Sequence, residues 1–165
     1  MEKRDRGELE EIKFTKYFME RGSIGNFHAW KREVGIHEPM SLMSRDFYAL
    51  NSVVKKYPIG RIDIMFRRSG KLYCGEVKYY MPHRREFWDA TKIIAYTEYY
   101  NWENEIMGGF DRAFPSVIIP LKAIKLEYKI IANKLRILLL GIRKEVVNGA
   151  TEYFLEEVVN LRNYK

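Results

Sequence analysis

Residues 60–79 read Gly60-Arg61-Ile62-Asp63-Ile64-Met65-Phe66-Arg67-Arg68-Ser69-Gly70-Lys71-Leu72-Tyr73-Cys74-Gly75-Glu76-Val77-Lys78-Tyr79. Ile62, Ile64 and Phe66 alternate with Arg61, Asp63 and Met65, which is strand periodicity. Ser69-Gly70 supplies a turn, and Lys71 to Tyr79 continues as the partner strand of a hairpin with long arms. An acid in the apolar frame around Asp63 is costly unless it is paired or bound to a cation. In the second arm Glu76 and Lys78 project to one side, while Val77 points the other way, into the core. With the arms paired, Asp63 lies beside Glu76.

Those three groups suit one chemistry. Two carboxylates can bind a hard divalent cation, Mg²⁺ or Mn²⁺, leaving positions for water and phosphate. The Val77 carbonyl is a further candidate oxygen ligand. A metal at that place lowers the pKa of a bound water and offsets charge on a phosphate. Lys78 beside it can orient the water or stabilise the developing oxyanion. Taken alone, Glu76 and Lys78 also read as an ion-paired surface face of an ordinary strand. The surroundings favour the chemical reading.

Working outward, Glu8 to Glu20 has apolar residues at Leu9, Ile12, Tyr17 and Met19, flanked by Phe14 and Phe18, and reads as a helix stopped by Gly22. Phe27 to Val34 reads as a strand and Leu42 to Tyr57 as a second helix, broken by Pro58-Ile59-Gly60. After the hairpin, which Pro82 ends, Arg85 to Glu105 reads as one long amphipathic helix closed by Gly108-Gly109. Ser116 to Ile119 is a short strand, Leu121 to Lys134 a helix and Leu135 to Ile142 a buried strand. Thr151 to Asn160 reads as a final helix with Thr151 as N-cap. This mixed order predicts an α/β domain whose central sheet carries helices on both faces.

The 165 residues fit one compact domain, and the net charge of +7 is concentrated. Between Ser52 and Lys92 ten basic residues face four acids, a local excess of +6. Such a field suits a polyanion, although a solvated lysine-rich surface reads the same way from charge alone. The apolar run Ile137 to Ile142 is too short to span a bilayer, and the N-terminus lacks the apolar segment of a signal peptide. The lone Cys74 allows no disulfide within the chain, which predicts an intracellular setting, cytoplasmic or nucleoid-associated.

On Asp63 in Ile62-Asp63-Ile64, followed by Glu76-Val77-Lys78, the sequence resembles the PD-(D/E)XK nuclease superfamily, which includes restriction endonucleases, archaeal Holliday-junction resolvases and RecB-type exonucleases. Ile62 stands where the superfamily's name has proline. The resemblance implies a restriction endonuclease-like core, a mixed sheet in the order αβββαβ, over about residues 8–120, with about 121–165 as a C-terminal extension of the same domain. It also implies a first-helix acid in the metal site. Glu11 is the choice, lying about three helical turns before Gly22, with Glu8 and Glu10 as alternatives. Lys92-Ile93-Ile94-Ala95-Tyr96 is similar to the Gln-x-x-x-Tyr signature of RecB-type members, with Lys92 in place of Gln. Lys92 and Tyr96 share a helix face.

Arg67, Arg68 and Lys71 at the hairpin tip, Arg84 and Arg85 beyond the motif strand, and Lys92 with Tyr96 are the candidate nucleic-acid contacts. His83 reads as a solvated loop histidine, and His28 and His37 have no zinc-ligand spacing with Cys74. Cys74 reads as a small packing residue. The expected activity is metal-dependent hydrolysis of DNA, with no nucleotide cofactor, since no phosphate-binding Gly-rich loop is present. The other readings are a non-catalytic nucleic-acid-binding module on the same fold and an interaction protein whose charge is incidental. A homodimer is compatible with the aromatic content and the apolar Val158-Val159.

Overall fold

The computed structural model describes residues 3–37, 59–80 and 84–159. Helix α1 (Lys3–Arg21) is followed by β1 (Ser23–Ile24), β2 (Phe27–Ile36), β3 (Gly60–Arg68) and β4 (Lys71–Val77). Then come α2 (Arg84–Ala90), α3 (Ile93–Ile106), β5 (Ala113–Pro120), a 3₁₀ turn (Leu121–Ala123), α4 (Leu126–Leu135), β6 (Leu138–Val147) and β7 (Ala150–Val159). The expected helix from Leu42 to Tyr57, the breakers Pro58 and Pro82, and His83 lie outside the described residues.

All seven strands form one mixed sheet, and their spatial order is their order along the chain. The first four are antiparallel; β4, β5 and β6 run parallel, and β7 returns antiparallel. The two successive crossovers run in the same direction across the sheet and place their helices on one face, as crossovers of a single hand require. Accordingly Phe87, Ala90 and Ile93 from α2–α3, with Tyr128 and Ala132 from α4, pack on Met65, Cys74, Val117 and Leu139. The opposite face is covered by α1, whose Phe14 and Phe18 pack with Phe27, Phe66, Ile118 and Leu140.

Several elements depart from the sequence reading. The stripe of α1 that faces the sheet runs Gly7, Glu11, Phe14, Phe18, whereas Leu9 and Ile12 are about 40 % exposed. The long helix after the hairpin is two helices. Thr91 donates its hydroxyl to the Trp88 carbonyl, and the Lys92 N–H bonds three residues back to Asp89, so the chain tightens and turns there. The stretch from Leu121 is a 3₁₀ turn, two non-helical residues and a shorter helix. The final helix is instead strand β7. Asn148 and Gly149 both take positive φ, 52° and 79°, and close a two-residue hairpin that pairs Val147 with Ala150. An Asn-Gly pair that follows Val146-Val147 is the local signal that overrides the helix reading and the Thr151 cap.

Candidate active site

The β3–β4 ladder pairs Arg68 with Lys71 at the tip and runs back to Ile64 opposite Gly75. Beyond that pair regular pairing stops. Asp63 and Glu76 are the next residues, so two carboxylates stand where the arms part. The Asp63 side chain replaces the missing backbone partner, its Oδ2 accepting a hydrogen bond from the Val77 N–H at 2.8 Å. Gly75 has no side chain because the space is filled; a Cβ there would lie 3.1 Å from Ile64 and 3.2 Å from Ile118.

Strand alternation aims Leu72, Cys74 and Glu76 at the face covered by α2–α4, and Tyr73 and Val77 at the α1 face. Glu76 is only 4 % exposed. Its Oε1 is 3.8 Å from the Lys78 ammonium and 3.7 Å from that of Lys92. Its Oε2 is buried and finds no hydrogen-bond partner among the described residues. Burial, reinforced by the Asp63 charge, pushes the Glu76 carboxyl up to about 8. Asp63 is also raised by burial, against the opposing pull of the Val77 N–H and the two lysines.

Glu11 enters from α1. Its Oε1 accepts the Tyr79 N–H at 3.1 Å, and burial lifts its carboxyl to about 7, with Asp63 adding repulsion. The helix can come this close because Gly7, one turn earlier, lies against Tyr80; a Cβ on Gly7 would sit 2.7 Å from the Tyr80 Cβ. Of the alternatives, Glu10 faces Lys144 and Tyr153, and Glu8 is exposed on the rim of the cleft that Glu11, Lys78 and Arg85 also line.

The structure thus brings Asp63, Glu76, Lys78, Lys92 and Glu11 together. Two more carboxylates join them that the sequence did not single out. Glu33, on β2 with a φ of 54°, falls opposite Asp63 between the Arg32–Ile64 and Val34–Ile62 pairs and adds to the repulsion on Asp63. Glu86 lines the cleft, and its Oε2 is buried without a hydrogen-bond partner among the described residues. For Glu33 the signal lies only in strand register. For Glu86 it was available as a first-turn acid of the helix after the motif.

The remaining candidates divide. Arg67, Arg68 and Lys71 sit at the hairpin tip, four or five residues along the arms from the carboxylates, or about 13–16 Å at roughly 3.3 Å per residue. Arg67 pairs with Asp111 at 2.7 Å, Arg68 with Glu157, and Lys71 lies over the Phe114 ring. They stand apart from Asp63 and Glu76, at the other end of the hairpin. Arg84 pairs with Glu127 at 2.7 Å, and Arg85 lines the cleft. Tyr96 packs its hydroxyl end against Gly60 at the start of β3. His37 pairs with Glu103 at 3.3 Å, and buried Cys74, its thiol pushed up to about 12, is a packing residue.

Among the described residues no three or more His, Cys, Asp or Glu side chains are gathered to hold a metal ion. The donor set nevertheless fits one hard cation held by few protein oxygens, because Glu76 keeps a buried oxygen with no partner among the described residues, beside a second carboxylate. Mg²⁺ is commonly bound by one or two carboxylates and otherwise by water and phosphate.

No family model matches the chain, and no curated protein matches it by sequence. Among solved structures it is similar to a repair endonuclease from Pyrococcus abyssi, at 14 % identity and a TM-score of 0.41. The similarity covers 84 % of this chain and 46 % of that enzyme, so this chain spans less than half of its length. No helix among the described residues is long and apolar enough to cross a membrane.

Proposed function

We propose that this chain is a divalent-metal-dependent nuclease of the PD-(D/E)XK type that hydrolyses DNA phosphodiester bonds. The observation that carries the reading is the Glu76 carboxylate, almost wholly buried beside Asp63, with one oxygen facing two lysines and the other without a hydrogen-bond partner among the described residues. Burying such a group is expensive unless a cation completes it.

Asp63 and Glu76 would hold Mg²⁺ or Mn²⁺, with the Val77 carbonyl as a further oxygen. The bound ion supplies an activated water and offsets charge on the phosphate. The Val77 N–H fixes the Asp63 carboxylate, so its other oxygen is presented without rotamer search. Lys78 places a positive charge beside the attacked phosphate, where negative charge grows in the transition state. Glu11, tethered by the Tyr79 N–H, accepts a proton or holds water at the edge of the site. Lys92 faces the same Glu76 oxygen as Lys78 and helps to keep it oriented. No covalent protein nucleophile is required, and Cys74 is too buried to serve.

One observation also fits a non-catalytic binding module. Lys78 and Lys92 can balance Glu76 without any metal. The two readings separate when wild type and Glu76→Ala, prepared identically, are given linear, single-stranded, flap and junction DNA with Mg²⁺ or Mn²⁺. The nuclease reading expects cleavage by wild type only, abolished by chelation. Equal cleavage by both proteins would overturn this active site. No cleavage by either, with salt-sensitive binding intact, would establish the module.

A further inference from the structure

Helix α1 and the segment 78–80 form a wall with two sides. Glu8 and Glu11 from the helix, and Lys78 and Tyr80 from the segment, line the cleft of the candidate active site. Arg6, Leu9, Glu10 and Lys13, with Tyr79, line a second depression on the other side. This second groove encloses about 820 Å³ and is completed by the end of β5, the 3₁₀ turn and β6. Arg67, Arg68, Lys71, Arg84, Arg85 and Lys92 all lie outside it.

Its chemistry is uneven in a useful way. Arg6, Lys13, Lys122, Arg143 and Lys144 line it against the single acid Glu10. Glu10 engages Lys144 at 3.2 Å and Lys13 at 3.8 Å, and Arg143 turns to Glu145 and Glu156. Among the described residues neither Arg6 nor Lys122 has a carboxylate partner. Leu9, Pro120, Leu121 and Ile142 provide apolar surface, and Tyr79 an aromatic ring. Leu121 is held over the sheet because Gly141 leaves room; a Cβ there would come within 3.0 Å of the Leu121 Cβ.

We infer that this groove receives an unpaired nucleic-acid strand next to the scissile phosphate, with Arg6 and Lys122 on its phosphates and Tyr79 against a base. The inference rests on the nuclease reading above. Cationic residues alone would suit any phosphate backbone. The aromatic and apolar floor selects for a single strand, whose bases are free to leave a stack and lie on it, whereas a duplex presents phosphates and keeps its base faces inside. Position supports the same assignment. Tyr79 follows Lys78 directly in the chain, so the groove begins one residue from the proposed chemistry. The hairpin-tip cations, by contrast, are at the far end of the strands.

The test is fluorescence anisotropy with a labelled single-stranded oligodeoxynucleotide and with the same sequence as duplex, in chelator so that no turnover occurs. Arg6→Glu with Lys122→Glu should weaken single-strand binding at least about tenfold and reduce the salt slope by roughly 1.4, at about 0.7 per phosphate contact. Lys129→Glu with Lys134→Glu makes the same charge change at exposed positions of α4 and should alter binding less than about twofold. Tyr79→Leu, which keeps the N–H that holds Glu11, should cost single-strand binding roughly tenfold and leave duplex binding unchanged; it also serves if the charge-reversed pair does not fold. Equal losses from the two charge-reversed pairs, or none from the groove pair, would overturn the assignment. So would duplex binding that falls in parallel with single-strand binding. Wild type that binds neither probe would overturn the nuclease reading as well, whereas intact cleavage with neutral groove variants sinks only the groove.

Discussion

The β3–β4 hairpin carries charge at both ends and treats it in two ways. At the tip, Arg67 and Lys71 lie at the surface, and Arg67 is answered at once by Asp111. Water and a flexible partner absorb such charges, and an exposed pair contributes little. At the mouth, Asp63 and Glu76 are drawn under the helices, where the ladder has ended. Their carboxyls are pushed up, and one Glu76 oxygen has no hydrogen-bond partner among the described residues. One hairpin therefore shows that charge becomes chemically useful where the fold withholds water and offers an incomplete set of partners. Net charge alone does not distinguish the two ends.

The largest expected contrast is in turnover. Glu76→Ala should lower the cleavage rate by more than about 10³-fold, beyond the 10²–10³ typical of a single lost oxyanion donor, while Arg67→Ala at the tip stays within about twofold. Single-turnover rates in Mg²⁺ decide it, and a tip variant as impaired as Glu76→Ala would erase the distinction. Lys78→Met should follow at about 10²–10³-fold, or roughly 2.7–4 kcal/mol, with oligonucleotide binding nearly unchanged. A loss confined to affinity would make Lys78 a phosphate contact only.

Stability without metal sharpens the comparison. The Glu76 and Glu11 carboxyls titrate near 8 and 7 in the folded chain, above their ordinary 4.5. A raised carboxyl leaves stability whole below the unfolded value and erodes it as pH climbs towards the folded value. Metal-free protein should therefore lose stability from these groups between about pH 4.5 and 8. In chelator, Glu76→Gln should melt at the wild-type temperature near pH 4.5 and several degrees above it near pH 8.5. Mg²⁺ should raise the wild-type midpoint at the higher pH more than that of the variant. A constant difference across that range would mean that the Glu76 carboxylate is not penalised.

The smallest effect belongs to the tip. Arg67→Ala removes an exposed pair with Asp111 and should cost under about 1 kcal/mol in urea unfolding, with the slope unchanged. A much larger loss would show that the tip is built more tightly than its exposure indicates.

Much of this contrast was readable in advance. The turn at Ser69-Gly70 and the alternation around Asp63 specify the hairpin, and the spacing of Glu76 and Lys78 puts them on one side. Glu11 was also legible for a reason separate from its distance to Gly22. It lies one turn before Phe14 and continues the stripe through Phe18 that packs on the sheet. The last strand was legible too, because Asn148-Gly149 is a hairpin signal that outweighs the helical spacing after Thr151. Lys92 read as a substrate contact, and its approach to Glu76 depends on the turn between α2 and α3, which no local pattern announces.

By itself the sequence determined the local terms: which residues alternate, where the chain turns, and which acid is trapped among apolar neighbours. Those follow from backbone geometry and side-chain polarity over a few positions. The tertiary structure alone decided which charges share a place. It set α1 against the segment 78–80, brought Glu33 opposite Asp63 and closed the groove around Arg6 and Lys122 with residues more than a hundred positions apart. Burial and electrostatic coupling depend on distance and exclusion of water, and neither is a property of neighbours in sequence.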